Sequence, residues 1–314
     1  MPSSTAPNVP ELIGGPKKNG GPRVRLNTGA EMPLVGLGTY LIMDPIIMDK
    51  AVEAALRAGY RHFDTASVYY NEAQLGTALQ QNLSRFGLKR EDIFITTKLH
   101  PRTENMRSVD ERVEHSLLAL KTDYIDLLLV HYPCQRSLRD DCSAKPDDPK
   151  NPERRKNTWL ALEKIPQSKI RSIGVSNFEI RHLEEMKAYA NKWPAVNQCE
   201  YHPHFTRSEL RDYCTKEGIF FEAFSSIGQH ATELINEPLV NQLAEKYDVT
   251  TEVLLLAFAT SQGIGVIPKS QNPSRIELNY NCLDVQLDVT EIAELLKLNR
   301  DKFYVSTCQP WNVL

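Results

Sequence analysis

Short apolar runs rich in Val, Ile and Phe alternate along most of this 314-residue chain with longer segments that have helical spacing. Eight such runs begin near Leu34, Tyr60, Ile93, Tyr124, Ile170, Ala195, Ile219 and Gly265. The run from Tyr124 to Val130 is almost continuously apolar, which is typical of a parallel strand buried on both faces. Eight strand–helix units in about 280 residues predict an α/β fold of the (β/α)8 TIM-barrel class.

The chain ahead of the first strand divides into two parts. The segment from Val24 to Met32 predicts a β-hairpin around an Asn-Thr-Gly turn, which would close the bottom of the barrel. Residues 1–22 are rich in Pro, Gly and Lys and lack an apolar core, so we expect a flexible tail rather than a secretory signal. The predicted organisation is a tail over residues 1–22 and a single barrel over residues 23–314.

Two wide gaps between candidate strands leave room for long loops at residues 132–157 and 226–238. Both gaps follow strands, so both loops are expected on the face where barrels place their active sites. The last segment, residues 299–314, has no periodicity and carries three aromatic residues, Phe303, Tyr304 and Trp311. It is expected to pack either at the substrate mouth, with Trp311 in the pocket, or on the barrel flank.

Composition excludes several classes of function. The chain has 37 Lys and Arg against 40 Asp and Glu, so no basic excess favours a nucleic-acid partner. Its longest apolar runs are far shorter than the ~20 residues of a membrane helix. The six cysteines are irregularly spaced, which argues against both a zinc site and a disulfide framework. We therefore expect a cytoplasmic protein with no metal, membrane or nucleic-acid partner.

Four polar residues stand at or just beyond the ends of candidate strands two, three and four: Asp64, Tyr69, Lys98 and His131. Each alone has an ordinary interpretation, such as a helix cap, a surface group or a hydrogen-bonded core histidine. Because the carboxyl ends of barrel strands converge on one mouth, the four together predict a common site.

This combination suits proton donation to a carbonyl oxygen. A tyrosine has a reference pKa of about 10 and is a weak acid at neutral pH, and a nearby ammonium such as Lys98 is expected to lower that pKa. Asp64 would supply the counter-charge of the lysine, and His131 would orient the reacting oxygen. The accompanying hydride requires a cofactor.

The cofactor site predicted near the end of the chain is not a Rossmann fingerprint, which the sequence lacks. Lys269 and Ser270 follow the eighth strand, and Arg275 and Asn279 share one face of the helix that comes next. The two cations, the hydroxyl group and the N-terminus of the helix together favour binding of a phosphate group, such as the 2′-phosphate of NADP. The alternative is an ordinary capped helix with solvated cations.

Polar residues also end strands five to seven. Ser176, Asn177 and Gln198 could pair with a nicotinamide carboxamide, and Phe224 could stack on its ring. The alternative is that these groups satisfy the backbone of the barrel itself.

Three ordered motifs make the sequence resemble the aldo-keto reductase family, and within it fungal-like NADPH-dependent reductases of small carbonyl compounds. The motifs are GYRHFDTA at residues 59–66, IGVSNF at residues 173–178, and IPKS at residues 267–270 followed by Arg275. The similarity extends from about Arg23 to the end of the chain.

The resemblance implies a (β/α)8 barrel that binds NADPH in an extended form. It implies that Asp64, Tyr69, Lys98 and His131 form the catalytic tetrad, with Tyr69 as the proton donor. It implies that Ser176, Asn177 and Gln198 hold the carboxamide of the nicotinamide and that Phe224 stacks on the nicotinamide ring. The residues expected to line the pyrophosphate are Ser225, Ile227 and Gly228. Those expected to hold the 2′-phosphate end are Lys269, Ser270, Arg275 and Asn279.

The chain also departs from the pattern of the family. Tyr40, His100 and Tyr132 occupy pocket positions that are commonly tryptophan, so a more polar substrate pocket is expected. Leu278 stands where the family often has a glutamate that reaches the adenine. His131 is retained, whereas members that reduce a steroid C=C bond carry glutamate there, and this favours carbonyl reduction.

The function expected from the sequence is NADPH-dependent reduction of an aldehyde or ketone to an alcohol, in a dedicated biosynthetic step. The partner would be a small carbonyl compound, and the protein would be a monomer or a weak dimer. The alternative is an NADP-binding regulatory subunit with little turnover, because some family members serve as channel subunits.

Overall fold

The computed structural model of the protein describes residues 12–102, 107–134 and 146–314. Its main sheet has eight parallel strands in sequence order, each paired with its neighbours in the chain. They are β4 (Leu37–Gly38), β5 (His62–Asp64), β6 (Phe94–Leu99), β7 (Ile125–Val130), β8 (Ile170–Ser176), β9 (Val196–Glu200), β10 (Phe220–Phe224) and β11 (Gly265–Val266). Parallel bridges from Val35 to Val266 and from Gly38 to Lys269 join the two edges, so the sheet closes. The predicted (β/α)8 barrel is confirmed.

Helices follow the strands and cover the outside of the barrel. They are α1 (Pro45–Ala58), α2 (Glu72–Arg85), α3 (Val109–Leu120), α4 (Asn151–Lys164), α5 (Ile180–Met186), α6 (Ser208–Lys216), α7 (Thr232–Ile235), α8 (Pro238–Lys246), α9 (Thr251–Thr260), α10 (Pro273–Asn279) and α11 (Val289–Leu296). Local sequence sets their ends: Asp44 accepts bonds from the first turn of α1, and Gly59 ends that helix at φ 112°. None of the helices in the described ranges is long and apolar enough to cross a membrane.

The hairpin ahead of the barrel closes its bottom, as the sequence predicts. Its strands, β2 (Arg23–Arg25) and β3 (Glu31–Pro33), pair antiparallel. Their buried side chains Val24 and Met32 pack in one cluster with Phe94, Leu127 and other residues of the barrel interior. This apolar plug leaves the opposite end of the barrel as the open one.

Residues 12–22, the part of the expected tail that the structure describes, are folded against the barrel and its N-terminal hairpin. Strand β1 (Leu12–Ile13) pairs with β2 and turns the hairpin into a three-stranded sheet. Buried side chains hold the backbone that follows, since Arg61 donates to the Lys18 carbonyl at 2.9 Å and Tyr280 donates to the Lys17 carbonyl at 3.1 Å. The expectation of a flexible tail is therefore wrong for residues 12–22, and residues 1–11 lie outside the described residues.

The long loops hold more helix than the sequence indicates. Helix α4 begins at Asn151, inside the first predicted loop, and residues 135–145 of that loop lie outside the described residues. The second loop contains a 3-10 helix (Gly228–His230) and all of α7. The other 3-10 helices are Lys17–Asn19, Ser67–Tyr69, Arg90–Asp92, Tyr280–Asp284 and Pro310–Asn312.

Gly76 allows α2 to lie unusually close to the end of α3. A Cβ atom built at this glycine would lie 2.6 Å from the backbone carbonyl group of Leu120. We expect Gly76→Ala to lower the free energy of unfolding by ~1–3 kcal/mol, because overpacking outweighs the helix propensity that alanine gains. Urea denaturation measures the change. In Gly14→Ala, where a new Cβ meets nothing within 4 Å, stability should stay within about 0.5 kcal/mol; equal stability of both variants would contradict the close approach.

Candidate functional site

A cavity of about 710 Å³ opens at the carboxyl ends of the barrel strands. The structure brings most of the residues predicted from the sequence to its wall. These are Tyr40, Asp64, Tyr69, His100, His131, Tyr132, Ser176, Asn177, Gln198, Phe224, Ser225, Ile227, Lys269, Ser270, Arg275 and Asn279. The predicted site is thus one continuous space rather than scattered groups.

A buried ion pair lies at the base of the cavity. The Lys98 ammonium donates to both carboxylate oxygens of Asp64, at 2.5 and 2.7 Å, and to the Thr65 carbonyl at 3.0 Å. Only 1% of the Lys98 side chain and 2% of the Asp64 side chain are exposed. All three ammonium donors are therefore used, which offsets the cost of burying the charge.

Tyr69 ends the short 3-10 helix that follows β5, and it faces the ion pair. Lys98 Nζ lies 5.2 Å from the centroid of the Tyr69 ring. Burial nevertheless raises the pKa of Tyr69 well above its ordinary value, and the negative charge of Asp64 adds to the shift. The net pKa of this phenol is therefore raised, not lowered as expected from Lys98, because burial and the charge of Asp64 both favour the protonated form.

His131 follows β7 directly and lies beside the phenol. Its ring makes an edge contact with the Tyr69 ring at 5.6 Å between centroids, and it stacks on His100 at 4.9 Å. Tyr40 contacts Tyr69 from the opposite side, at 5.0 Å between ring centroids. The phenol is therefore held between rings that carry polar atoms, in agreement with the more polar pocket expected from the sequence.

The amide of Gln198 connects two carboxyl groups below the cavity. Its nitrogen donates to Asp64 Oδ2 at 3.0 Å and to Glu222 Oε2 at 2.7 Å. Burial and the charge of Asp64 raise the pKa of Glu222 to about 8. His62 Nδ1 lies 3.8 Å from the other oxygen of Glu222, and burial lowers the pKa of this histidine to about 3. At neutral pH this lower layer therefore consists of a protonated carboxyl and an uncharged imidazole.

The ends of β8 and β9 form a second polar group on the cavity wall. Ser176 donates to the Gln198 carbonyl at 2.8 Å, and the amide nitrogen of Asn177 donates to the His131 carbonyl at 3.0 Å. The thiol of Cys308, from the C-terminal segment, donates to Asn177 Oδ1 at 2.9 Å. The alternative interpretation, in which these groups satisfy the backbone of the barrel, is therefore partly correct. Ser176 and Asn177 bond to barrel backbone carbonyls, and both residues also line the cavity.

The cavity also carries polar groups that are available to a ligand. Among the described residues, the hydroxyl oxygens of Ser225 and Ser226 are buried without a hydrogen-bond partner, and both residues line the cavity. At the far end, Lys269 and Arg275 flank the start of α10, where the Asn272 side chain caps the helix. Buried hydroxyls followed by two cations fit an extended ligand that carries phosphate groups.

Three predicted site residues are not among those that line this cavity, and one of them, Lys98, is buried in the ion pair with Asp64. The Trp311 ring packs on Phe303 and Phe205, at 4.7 and 5.9 Å between centroids, and not on the wall of the cavity, which corresponds to the flank alternative for this residue. Gly228 is buried, and a Cβ there would meet Leu234 at 2.5 Å, so this position is closely packed; its contact with the pyrophosphate stays a prediction.

Other residues of the site are not apparent from the sequence analysis. Val305, Thr307 and Cys308 line the cavity, so the C-terminal segment packs at the mouth as well as on the flank. No periodicity marks them, because their position depends on the path of an irregular segment. Glu222 does leave a signal, since it is an acidic residue inside the apolar strand β10.

Several known proteins are similar to this chain in sequence and fold. A family model described as "Aldo/keto reductase family" matches residues 36–300. The chain is 36% identical over 280 residues to glyoxal reductase of Bacillus subtilis, covering 89% of this chain and 93% of that protein. It is 36% identical over 312 residues to D/L-glyceraldehyde reductase of Hypocrea jecorina, covering 93% of each. The crystal structure of MGS-M4, an aldo-keto reductase from a Medee basin deep-sea metagenome library, matches with a TM-score of 0.77 and 33% identity over 89% of this chain and 96% of that one.

The raised pKa of Glu222 predicts a pH-dependent stability. Between pH ~4.5 and pH 8 the unfolded chain releases this proton while the folded chain, with its pKa of about 8, retains it, so the folded state loses stability as pH rises through this window. We expect Glu222→Gln, which cannot ionise, to gain on the order of 2–4 kcal/mol over the wild type from pH 5 to pH 8.

Urea unfolding of both proteins at several pH values measures this difference. Glu209→Gln, which alters an exposed carboxylate on α6, serves as the control and should follow the wild-type curve. A difference between Glu222→Gln and the wild type that stays constant with pH would show that Glu222 is already ionised in the folded protein.

Proposed function

Since the chain belongs to the aldo/keto reductase family, we propose that it catalyses the NADPH-dependent reduction of an aldehyde or ketone to an alcohol, with Tyr69 as the general acid. Family membership makes the chain an oxidoreductase that acts on carbonyl groups, and members of the family generally use NAD(P)H. The preference for NADPH and the role of Tyr69 are the proposal. One observation carries it: a phenol that keeps its proton lines the cavity beside a buried Lys98–Asp64 pair.

Reduction of a carbonyl group needs a hydride on carbon and a proton on oxygen. The dinucleotide, when bound, supplies the hydride. Tyr69 holds its proton at neutral pH, since the ordinary pKa of a tyrosine is about 10 and burial raises the pKa of Tyr69 further. An alkoxide is a stronger base than a phenolate, so proton transfer from Tyr69 to the developing alkoxide is favourable even though the phenol is not acidified.

The neighbouring residues support this transfer in different ways. The ammonium of Lys98, 5.2 Å from the phenol ring, stabilises the phenolate that remains once the proton has left. His131, in edge contact with the same ring, is placed to orient the substrate oxygen toward the phenol.

The residues that would hold the dinucleotide follow the length of the cavity. Gln198 and Asn177 offer amide groups to the carboxamide, and Phe224 offers a ring face to the nicotinamide. Ser225 and Ile227 would contact the pyrophosphate. The 2′-phosphate end falls to Lys269, Ser270, Arg275 and Asn279, where charge-assisted bonds are strong. The half-exposed Leu278 would cover the adenine in place of a polar contact.

The substrate proposed for this site is a small polar aldehyde or ketone. Tyr40, His100, Tyr132 and Thr307 line the cavity and give it polar atoms near Tyr69. Tyr132 is itself fixed, because its hydroxyl oxygen accepts a bond from the Gln309 backbone at 3.0 Å. The relatives named as reductases of glyoxal and glyceraldehyde support the same substrate class.

We expect Tyr69→Phe to lower turnover by about 10²–10⁴-fold while the Kd for NADPH changes less than about twofold, because it removes a proton and leaves the binding surface. NADPH oxidation against a panel of small aldehydes and ketones measures turnover, and fluorescence titration measures binding. Tyr70→Phe is the matched control, since the adjacent Tyr70 is 55% exposed and should tolerate the change. A Tyr69→Phe variant with more than a tenth of the wild-type rate would exclude Tyr69 as the acid.

The preference for NADPH is tested separately at the phosphate end. We expect Arg275→Ala to raise the Kd for NADPH by about 10–100-fold and the Kd for NADH by less than about threefold, since only NADPH carries the 2′-phosphate. Arg25→Ala, at the opposite end of the barrel, should change neither constant. Equal losses for both cofactors would show that Arg275 does not recognise the phosphate.

A further inference from the structure

Glu222 is a buried ionisable residue that the proposed mechanism does not use, and it is bonded directly to a residue of the site. It lies on β10 in a strand of otherwise apolar side chains, and it is wholly buried inside the barrel. Strand β11 leaves room for it through Gly265, where a Cβ atom would lie 3.3 Å from Glu222 Cγ. A buried carboxyl without a positive partner is costly, so its presence suggests a use.

Within the described part of the chain, this carboxyl accepts a hydrogen bond from a residue of the site. Gln198 Nε2 donates to Glu222 Oε2 at 2.7 Å and to Asp64 Oδ2 at 3.0 Å, so both hydrogen atoms of the amide nitrogen are used. Asp64 is the carboxylate of the Lys98 ion pair and can only accept. The nitrogen of the amide, and not its oxygen, must therefore point toward Asp64.

This arrangement determines what the amide presents to the cavity. With both N–H groups occupied below, its remaining polar atom is the carbonyl oxygen Oε1, and Gln198 lines the cavity. A single bond to Asp64 would let the amide swing about that bond, whereas two bonds in different directions fix its tilt as well.

We propose that Glu222 is a positioning residue that, together with Asp64, holds the Gln198 amide with its oxygen toward the cavity, as an acceptor for the N–H of a nicotinamide carboxamide. This inference rests on the proposed function, in which Gln198 contacts the carboxamide, and adds the residue that orients it. Glu222 itself touches neither cofactor nor substrate.

The charges around Glu222 agree with this role. The groups facing it are His62, Asp64, Lys98 and Gln198, and burial keeps His62 neutral with a pKa of about 3. The proton that Glu222 holds below pH 8 avoids placing a second negative charge beside Asp64. Glu222 thus supplies an acceptor to Gln198 without disturbing the charge balance of the Lys98–Asp64 pair.

The test compares two ligands on the full-length protein. NADPH has a carboxamide, and its reduced 3-acetylpyridine analogue has an acetyl group in the same place, so the analogue lacks the N–H that Gln198 Oε1 would accept. Glu222→Met keeps the length of the side chain and removes the acceptor. We expect it to raise the Kd for NADPH by about 5–10-fold and the Kd for the analogue by less than about twofold, as measured by fluorescence titration.

Three further variants separate orientation from packing. Glu222→Gln keeps an acceptor oxygen and should bind both ligands like the wild type. Thr96→Val removes another hydrogen bond of the barrel interior, the 2.9 Å bond to His62 Nε2, and should also leave both constants unchanged. In a Gln198→Ala background, Glu222→Met should have no further effect on NADPH binding, because Glu222 acts through Gln198.

Equal weakening of both ligands by Glu222→Met would show a structural role and overturn the inference, as would no change in either. If Glu222→Met does not fold, as judged by circular dichroism, Glu222→Ala replaces it with the same expected results. A wild-type protein that binds neither dinucleotide would instead refute the proposed function. The two failures are therefore distinguishable.

Discussion

The Lys98–Asp64 ion pair is the interaction on which the rest of the site depends. Two charges are buried together, and the cost is offset because every donor of the ammonium and both oxygens of the carboxylate are used. The pair then fixes its neighbours. It requires the nitrogen of the Gln198 amide to face Asp64, and it places the charge of a lysine beside the ring of Tyr69. Removal of either partner would leave a lone buried charge in the middle of the site.

The barrel provides the rigidity that such a pair needs. Asp64 and Lys98 lie on adjacent strands, β5 and β6, and His131 directly follows β7. Side chains on neighbouring parallel strands are held at fixed spacing, so their geometry does not depend on loops. Tyr69 is the exception, since it lies on a short 3-10 helix after β5 and is held by ring contacts with Tyr40 and His131.

Much of the fold and of the site follows from the sequence, for physical reasons that particular residues show. The strands of a parallel sheet that is buried on both faces are apolar, so runs such as Ile125–Val130 can be recognised in the sequence. The polar residues at the ends of these runs are then easy to identify. The ordered structure of residues 12–22 cannot be predicted from the sequence. Arg61 and Tyr280 hold this segment through its backbone carbonyl groups, and every residue type has a backbone carbonyl group. The raised pKa of Tyr69 does not follow from the sequence, since it depends on burial and on the charge of Asp64 rather than on composition. Trp311 shows that an aromatic residue in an irregular segment does not reveal which surface it will cover.

The closure of the barrel has a consequence for ligand binding. The first and last strands meet through isolated bridges, one of which joins Gly38 to Lys269, and both of these residues line the cavity. A side chain at residue 38 would push against the Ile267 carbonyl and force this seam apart. A ligand that fills the cavity would contact both the first and the last strand and so link them. A bound ligand would then stabilise the closed barrel at the place where its first and last strands meet.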